Sequence, residues 1–297
     1  MPYASSDSII HSLGLRLVPI VLALLIAGWF YFSHTEQGPF GRQQTLGLSI
    51  EQEVKLGAQA FTEVLQKSEV IRDTPLERVV VEIGKNLQAA VNDPRFLHSL
   101  KPWSPPKVAF QWEYRLVRSK QVNAFCLPGG KVVVFTGIVP IAKDTGGLAT
   151  VMGHEIAHAL ARHGSERIAQ QQLANILQSG AAISLADLSP QKRQAILGAL
   201  GAGLQYGLIL PYSRAHESEA DRIGLYLMAV AGYDPAASIP FWERMASASG
   251  GSAPPEFAST HPSHRTRIRD LGRWMSKARE LYQATTTPRT NLPLPTQ

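Results

Sequence analysis

Two histidines and a glutamate of this 297-residue chain have the spacing of a metal site on one helix. The sequence His154-Glu155-Ile156-Ala157-His158 places the histidines at i and i+4, so both imidazoles lie on one helix face and can reach one Zn²⁺ at about 2.0 to 2.1 Å. Glu155, beside the first histidine, can act as general base toward a water polarised by the metal. This arrangement predicts metal-assisted hydrolysis of a peptide bond.

A third zinc ligand must come from elsewhere in the chain. A third histidine at the three-histidine spacing is excluded because that position is Gly164, and positions 167–186 contain no acid. The next acidic cluster opens an apolar helix pattern, and in it Glu217 and Asp221 share a helix face while Glu219 is turned away. We expect Glu217 to be the third ligand and Asp221 to orient a zinc histidine from behind the ligands. A solvated acidic helix start is the alternative.

Residues 17–32 form an uncharged apolar stretch near the N-terminus, LVPIVLALLIAGWFYF. A helix of this length spans about 24 Å, which flanking residues can extend across a bilayer core. Its aromatic end, Trp29 to Phe32, suits the headgroup region. We therefore predict an N-terminal tail over 1–16 and a transmembrane anchor over 17–33. A signal peptide that is cleaved after secretion is the alternative, although no small-residue cleavage site follows the stretch.

The remaining sequence predicts one mostly helical domain with a small sheet. We expect a linker over 34–49, the domain over 50–283 and a disordered tail over 284–297. Alternating residues over 107–118 and β-branched residues over 131–136 predict a small antiparallel sheet. Apolar residues at helical spacing predict helices over 51–66, 76–91, 146–163, 166–179, 190–210, 213–231, 235–247 and 263–283. The fold class is therefore α+β, mostly α.

Composition excludes several classes of protein. The net charge is +6, but the basic residues are scattered, apart from an arginine cluster over 265–273, and no nucleic-acid motif accompanies them. Nucleic acid is therefore not an expected partner. Cys126 is the only cysteine, which excludes an internal disulfide scaffold and a cysteine-ligated zinc finger.

Ordered blocks along the chain carry a family resemblance. The sequence resembles the zinc metallopeptidase family of the CAAX prenyl protease and HtpX, and within it the bacterial BepA-like and mitochondrial inner-membrane quality-control branch. The matching blocks are Glu51-Gln52-Glu53, Asn123 to Gly130, the motif helix with Arg162-His163, Tyr212-Ser213-Arg214, Glu217 to Gly224, Ala231 to Pro235 and Ser259 to Pro262. Such a series is more specific than any single motif.

The resemblance implies a zincin (gluzincin) fold with one Zn²⁺ per chain. It implies His154, His158 and Glu217 as ligands and Glu155 as catalytic base. It also implies that His261 faces the metal, where it would either occupy the open coordination position and restrain activity or hydrogen-bond the developing oxyanion. The sequence alone leaves these two roles of His261 open.

The anchor and the resemblance together suggest a cellular location. Arg16 precedes the apolar stretch and Glu36 follows it, which favours a C-terminal domain outside the cytoplasm. We expect a single-pass protein of a bacterial inner membrane with a periplasmic catalytic domain, or secretion to the periplasm if the stretch is cleaved. The sequence carries no signal for the oligomeric state.

Substrate is expected to bind by main-chain pairing. We predict that an extended peptide adds beside the strand over 131–136, so that its scissile carbonyl lies over the metal. The residues assigned to this substrate strand are Asn123, Lys131, Val132, Val133 and Val134.

These features predict a membrane-anchored zinc metalloendopeptidase that acts on misfolded or membrane and envelope proteins. Two alternatives stay open. A processing peptidase that makes one defined cut would share every site residue, and a non-catalytic, chaperone-like membrane protein would bind zinc or clients without hydrolysis. The intact Glu155 argues against the second alternative.

Overall fold

The structure is a computed structural model that describes residues 6–106, 110–205, 210–249, 257, 261 and 266–295. In chain order the elements are α1 (Ser6–His34), β1 (Thr35–Gln37), β2 (Gln43–Thr45), α2 (Ile50–Gln66), β3 (Glu69–Ile71), α3 (Pro75–Val91), α4 (Pro94–Ser99), β4 (Glu113–Arg118), β5 (Ala124–Leu127), β6 (Lys131–Phe135), α5 (Val139–Ala142), α6 (Thr145–Leu160), α7 (His163–Ser184), α8 (Pro190–Leu204), α9 (Leu210–Val230), α10 (Ser238–Ser249) and α11 (Arg267–Gln283). The molecule is mostly helical with small sheets, as predicted.

Two compact units divide the chain. The smaller unit contains Met1–Gln37, Gln43–Leu48 and Ser165–Ser213, and the larger unit contains Gly38–Arg42, Ser49–Gly164 and Arg214–Gln297.

In the smaller unit, α1 contains a segment long and apolar enough to cross a membrane. This segment runs from Arg16 to His34 with a mean hydropathy of 1.9, and only 11% of it is buried. Leu25 is 65% exposed and Phe32 is 81% exposed. A core helix of a soluble protein would bury such side chains, and these side chains are exposed.

The segment predicted as a linker contains paired strands. β1 and β2 pair antiparallel, with Thr35 opposite Thr45. Between them, the turn over Gly38–Arg42 belongs to the larger unit and includes Gly41 at φ 82°. The glycines of this segment therefore mark a tight turn between strands rather than a free linker.

The larger unit contains a four-stranded sheet in the order β3-β4-β6-β5. β3 pairs antiparallel with β4, and β5 pairs antiparallel with β6, but β4 and β6 are parallel. The prediction of an antiparallel sheet from residues 107–118 and 131–136 is therefore wrong, and the sheet is mixed. The reason is that the chain passes from β4 to β6 through β5. Because β5 pairs antiparallel with β6 at the edge of the sheet, β6 can run parallel to β4.

One hydrophobic core joins the sheet to α3 and to α6. Leu87 of α3 and Met152 and Ile156 of α6 are fully buried in it, and Val132 and Val134 of β6 face the same core. Helix α6, which carries the motif, is thus fixed by packing along most of its length.

Residues 284–295, predicted to be disordered, are ordered by main-chain hydrogen bonds. The amide of Arg289 donates to the carbonyl of Gly232 at 2.8 Å, and the amide of Leu294 donates to the carbonyl of Lys143 at 2.9 Å. The amide of Thr145 donates to the carbonyl of Leu292 at 2.9 Å. Such pairing needs no apolar periodicity, which is why the sequence pattern did not indicate it.

Candidate metal centre

Specific contacts at both ends of helix α6 define the helix that carries His154, Glu155 and His158. Its first turn is capped by the Asp144 carboxylate, which accepts a hydrogen bond from the Gly147 amide at 2.8 Å. The helix ends at Leu160, and Arg162 then adopts a left-handed backbone with φ 58°. The Arg162 guanidinium donates to the buried Glu53 carboxylate at 2.8 and 2.6 Å. The break comes directly after the motif, and α7 starts anew at His163.

Four side chains of the larger unit bring their ligand atoms together. One ligand atom from each of His154, His158, Glu217 and His261 lies within 4.8 Å of the other three. Nε2 of His158 lies 3.1 Å from Nε2 of His154, and the two atoms lie 3.5 and 3.4 Å from the Glu217 carboxylate. Ligands about 2.0 to 2.1 Å from a tetrahedral zinc are about 3.3 Å apart, so these spacings fit a zinc ion.

His261 lies at a fourth corner of this cluster. Its Nδ1 is 3.0 Å from Glu217 Oε1 and 3.4 Å from His154 Nε2. The ring stacks on Phe257 at a centroid distance of 4.5 Å. A tetrahedral site with three protein ligands keeps one position for water or substrate, and the position of His261 would fill it.

Glu155 lies beside the cluster and is 3% exposed. Its Oε1 is 3.6 Å from Nε2 of His261. Burial raises the pKa of Glu155 above its ordinary value, although the charges of His261 and His154 oppose the rise. A carboxyl group with a raised pKa can accept and then return a proton near neutral pH, which is what a general base needs.

The charge state of the cluster suits a cation. Burial alone would raise the pKa of Glu217, but the neighbouring imidazoles of His158, His154 and His261 outweigh it and hold the pKa well below its ordinary range. Burial keeps the pKa of His158 well below its usual value. Burial also acts to lower the pKa of His154, but Asp221 and Glu217 raise it to about 9. To hold a metal at Nε2, His154 would have to give up a proton there.

Asp221, which the sequence predicts to orient a zinc histidine, lies beside His154. Its Oδ1 is 3.0 Å from Nδ1 of His154, the ring nitrogen that faces away from the other donors. Its Oδ2 accepts a hydrogen bond from Nε of Arg267 at 2.6 Å, and Nη2 of Arg267 donates to Glu217 at 3.0 Å. The guanidinium also stacks over the Trp242 ring at 4.0 Å.

Arg267 is a site residue that the sequence analysis missed. The sequence showed it only as part of a basic cluster. A better signal was available, because Arg267, Leu271 and Met275 lie at i, i+4 and i+8 on the buried face of α11. A charged residue on an apolar helix face needs a buried partner of opposite charge.

His163 is a second residue that the sequence analysis did not assign. Its Nδ1 lies 2.8 Å from Nδ1 of His158, and its Nε2 lies 3.1 Å from the Glu219 carboxylate. Glu219, which the helix spacing predicts to face away from Glu217 and Asp221, also binds Arg42.

The structure contradicts the predicted substrate strand. Strand β6 lies between β4 and β5, so it has no free edge for an added peptide. The residues assigned there are Lys131, Val132, Val133 and Val134, and all four are buried. Lys131 binds Glu113 at 2.6 Å. Of the two edge strands, β3 and β5, it is β5 that pairs with β6, follows Asn123 directly and packs against α6.

Cys126 on β5 is half-buried. Burial, with a smaller contribution from the negative charge of Glu155, raises the pKa of the Cys126 thiol well above its ordinary value. The side chain is therefore a protonated thiol near neutral pH and not a reactive thiolate.

Comparison with known proteins assigns this chain to a family. The model of peptidase family M48 matches residues 102–275. The mitochondrial metalloendopeptidase OMA1 of Schizosaccharomyces pombe is 37% identical over 87% of this chain and 72% of its own length. The OMA1 protein of Saccharomyces cerevisiae is 34% identical over 88% of this chain and 76% of its own length. The beta-barrel assembly-enhancing protease of Yersinia pestis is 33% identical over 75% of this chain and 44% of its own length.

These relatives correct the predicted location. The sequence predicts a bacterial inner membrane with a periplasmic catalytic domain. That prediction is wrong, because the two relatives above that match 87% and 88% of this chain are mitochondrial proteins, and the bacterial relative matches less of it. The length and apolarity of an anchor show that it can cross a bilayer, but not which bilayer.

The predicted resemblance is confirmed at the level of the family. The family model covers more than half of the chain, from residue 102 to residue 275, and the two OMA1 relatives above are named metalloendopeptidases. The chain belongs to peptidase family M48 and is a metalloendopeptidase.

Proposed function

We propose that this chain is a membrane-anchored zinc endopeptidase of the OMA1 and beta-barrel assembly-enhancing protease branch. It hydrolyses peptide bonds of misfolded or membrane proteins. The single observation that carries the metal chemistry is the cluster of His154, His158, Glu217 and His261 beside the buried Glu155. The exposed apolar side chains of α1 support the membrane anchor.

The residues of the cluster divide the chemistry among them. His154, His158 and Glu217 would hold Zn²⁺, which when bound polarises the scissile carbonyl and lowers the pKa of water toward about 7. Glu155 takes the proton of the attacking water on its carboxylate and returns it to the leaving amine. Asp221 holds the ring of His154 in one orientation, and Arg267 holds Asp221 and Glu217.

His261 restrains the site in this proposal. Because its Nδ1 lies among the ligand atoms, it takes the position that water or substrate needs. Substrate binding then requires that His261 leaves this position.

The substrate adds to β5 in the proposed complex. The Phe135 amide donates to the Asn123 carbonyl at 3.1 Å, so Asn123 faces β6 with its main-chain groups. Along an antiparallel strand these directions alternate, which turns the N–H and C=O groups of Cys126 away from β6. An extended peptide can pair with this edge beside α6, and side-chain selectivity would be low.

We further propose that the anchor lies in a mitochondrial membrane, as the names of the most similar relatives reported above suggest.

A conservative change of the base tests this function. The purified full chain carrying Glu155→Gln should retain zinc and lose casein cleavage by about 10² to 10⁴-fold, because the amide cannot accept the proton. The wild-type chain should cleave casein, and a chelator should abolish the cleavage. Unchanged turnover in Glu155→Gln would overturn the role of Glu155, and cleavage that resists the chelator would overturn the metal mechanism.

A further inference from the structure

His163 is held in one orientation behind the metal cluster. It is 1% exposed, and its ring stacks on the ring of His216 at a centroid distance of 4.4 Å. Its Nδ1 lies 2.8 Å from Nδ1 of His158, and its Nε2 lies 3.1 Å from Oε2 of Glu219. Both ring nitrogens therefore have close polar neighbours.

The position of the ring protons follows from which nitrogen faces the metal. Nε2 of His158 points at the other donors, 3.1 Å from Nε2 of His154. When Nε2 of His158 binds a metal, its ring proton is on Nδ1, and that N–H donates to Nδ1 of His163. His163 then carries its own ring proton on Nε2, and this N–H donates a hydrogen bond to the Glu219 carboxylate. The hydrogen bonds therefore run in one direction, from His158 to His163 and from His163 to Glu219.

The carboxylate of Glu219 is held in place to accept this hydrogen bond. Arg42 binds the carboxylate with two hydrogen bonds, at 2.7 Å from Nε and 2.9 Å from Nη2. Such a bidentate pair fixes the plane of the carboxylate.

Arg42 is itself fixed by a tight turn. The Gly38 amide donates to the Arg42 carbonyl at 2.6 Å, which closes the turn. Within the turn, the ring of Phe40 lies under the guanidinium of Arg222 at 3.7 Å. Both contacts lie inside the larger unit, so the turn is anchored to the same helix, α9, that carries Glu219.

We infer that His163, Glu219 and Arg42 are positioning residues for the zinc ligand His158, an inference that rests on the proposed metal centre. They orient the His158 ring and fix its tautomer, as Asp221 and Arg267 do for His154. Each zinc histidine thus has an acceptor behind it, and each chain of contacts ends in an arginine. The arginine behind His158 comes from the short turn that follows β1.

Zinc affinity tests this inference without a cleavage assay. The full chain in detergent is titrated with Zn²⁺ against a chromogenic chelator. His163→Leu, which cannot accept a hydrogen bond, should lower zinc affinity by about 10 to 100-fold. His163→Asn places an amide oxygen where Nδ1 was and should restore most of the affinity. Wild-type affinity in His163→Leu would overturn the inference, and so would an affinity of His163→Asn as low as that of His163→Leu.

Arg42→Met tests the far end of the chain of contacts and has a matched control. Arg95 makes a similar bidentate pair with Asp93 in the larger unit, at 3.0 and 2.7 Å, away from the cluster. Arg42→Met should weaken zinc binding, although less than His163→Leu, whereas Arg95→Met should leave it unchanged. If circular dichroism shows that His163→Leu does not fold, the comparison of Arg42→Met with Arg95→Met tests the inference alone. Equal zinc affinities of these two variants would overturn it. A wild-type chain without zinc would instead overturn the metal centre itself.

Discussion

At the scale of single residues, the site depends on buried charges that compensate one another. Glu217 is fully buried, Asp221 is 5% exposed, and Arg267 lies between their carboxylates. Without a metal, this arginine and the neighbouring imidazoles are what make two buried carboxylates tolerable. Removing a partner from such a network costs far more than breaking a surface ion pair.

Arg267→Met should therefore destabilise the metal-free chain. We expect the free energy of unfolding to fall by about 3 to 5 kcal/mol, because both carboxylates lose a buried partner. Urea denaturation in the presence of a chelator measures this change. Arg269→Met is the matched control on the same helix, since Arg269 is 62% exposed, and it should change stability by less than about 0.5 kcal/mol. Equal effects of the two substitutions would contradict the assigned role of Arg267.

His261→Ala should raise casein cleavage by the zinc-loaded chain, because it frees the fourth coordination position. The rate is compared with that of the wild type at equal zinc content. A loss of about 10² to 10³-fold would contradict restraint and indicate that His261 stabilises the oxyanion instead.

The local part of the site could be predicted from the sequence, and the distant part could not. The spacing of His154 and His158 fixes their common helix face, and the spacing of Glu217 and Asp221 does the same on α9. Arg267 was missed because its role depends on Asp221, 46 residues away in the sequence, and His163 was missed because its role depends on Glu219, 56 residues away. Only the tertiary fold brings Arg267 to Asp221.

At the scale of elements, strand order decides where a substrate can bind. The sequence predicted the strand over 131–136 from its β-branched residues, and β6 covers residues 131–135. Its neighbours could not be predicted from periodicity, because parallel pairing with β4 is a long-range contact. The burial of every residue of β6 follows from its place inside the sheet, whose edge strands are β3 and β5.

Cys126→Pro tests the proposed substrate edge. Proline removes the outward N–H of Cys126 but leaves the β5–β6 hydrogen bonds intact, and proline is tolerated on edge strands. We expect KM for a peptide substrate to rise while zinc content stays at the wild-type level. Cys126→Ala keeps the N–H and serves as control. A KM in Cys126→Pro equal to that of Cys126→Ala would contradict substrate pairing at β5.

At the scale of the whole molecule, one peptidase domain combines with an apolar helix. The apolar stretch over 17–32 was visible in the sequence, and the structure contains it within the longer helix α1. The ordered tail was not predictable, because Leu292 and Leu294 are held by main-chain bonds to Thr145 and Lys143. The prediction of a bacterial membrane was wrong. The charges of Arg16 and Glu36 indicate the orientation of an apolar stretch, but they do not indicate which membrane it would cross.

The zinc content of the purified full chain tests the central claim most directly. Elemental analysis should find about one zinc per wild-type chain and a large loss in Glu217→Ala, because the metal then has one fewer anionic ligand. Asp234→Ala, which removes a carboxylate outside the cluster, should keep the wild-type zinc content. A wild-type chain without zinc, or full zinc content in Glu217→Ala, would contradict a metal centre built on His154, His158 and Glu217.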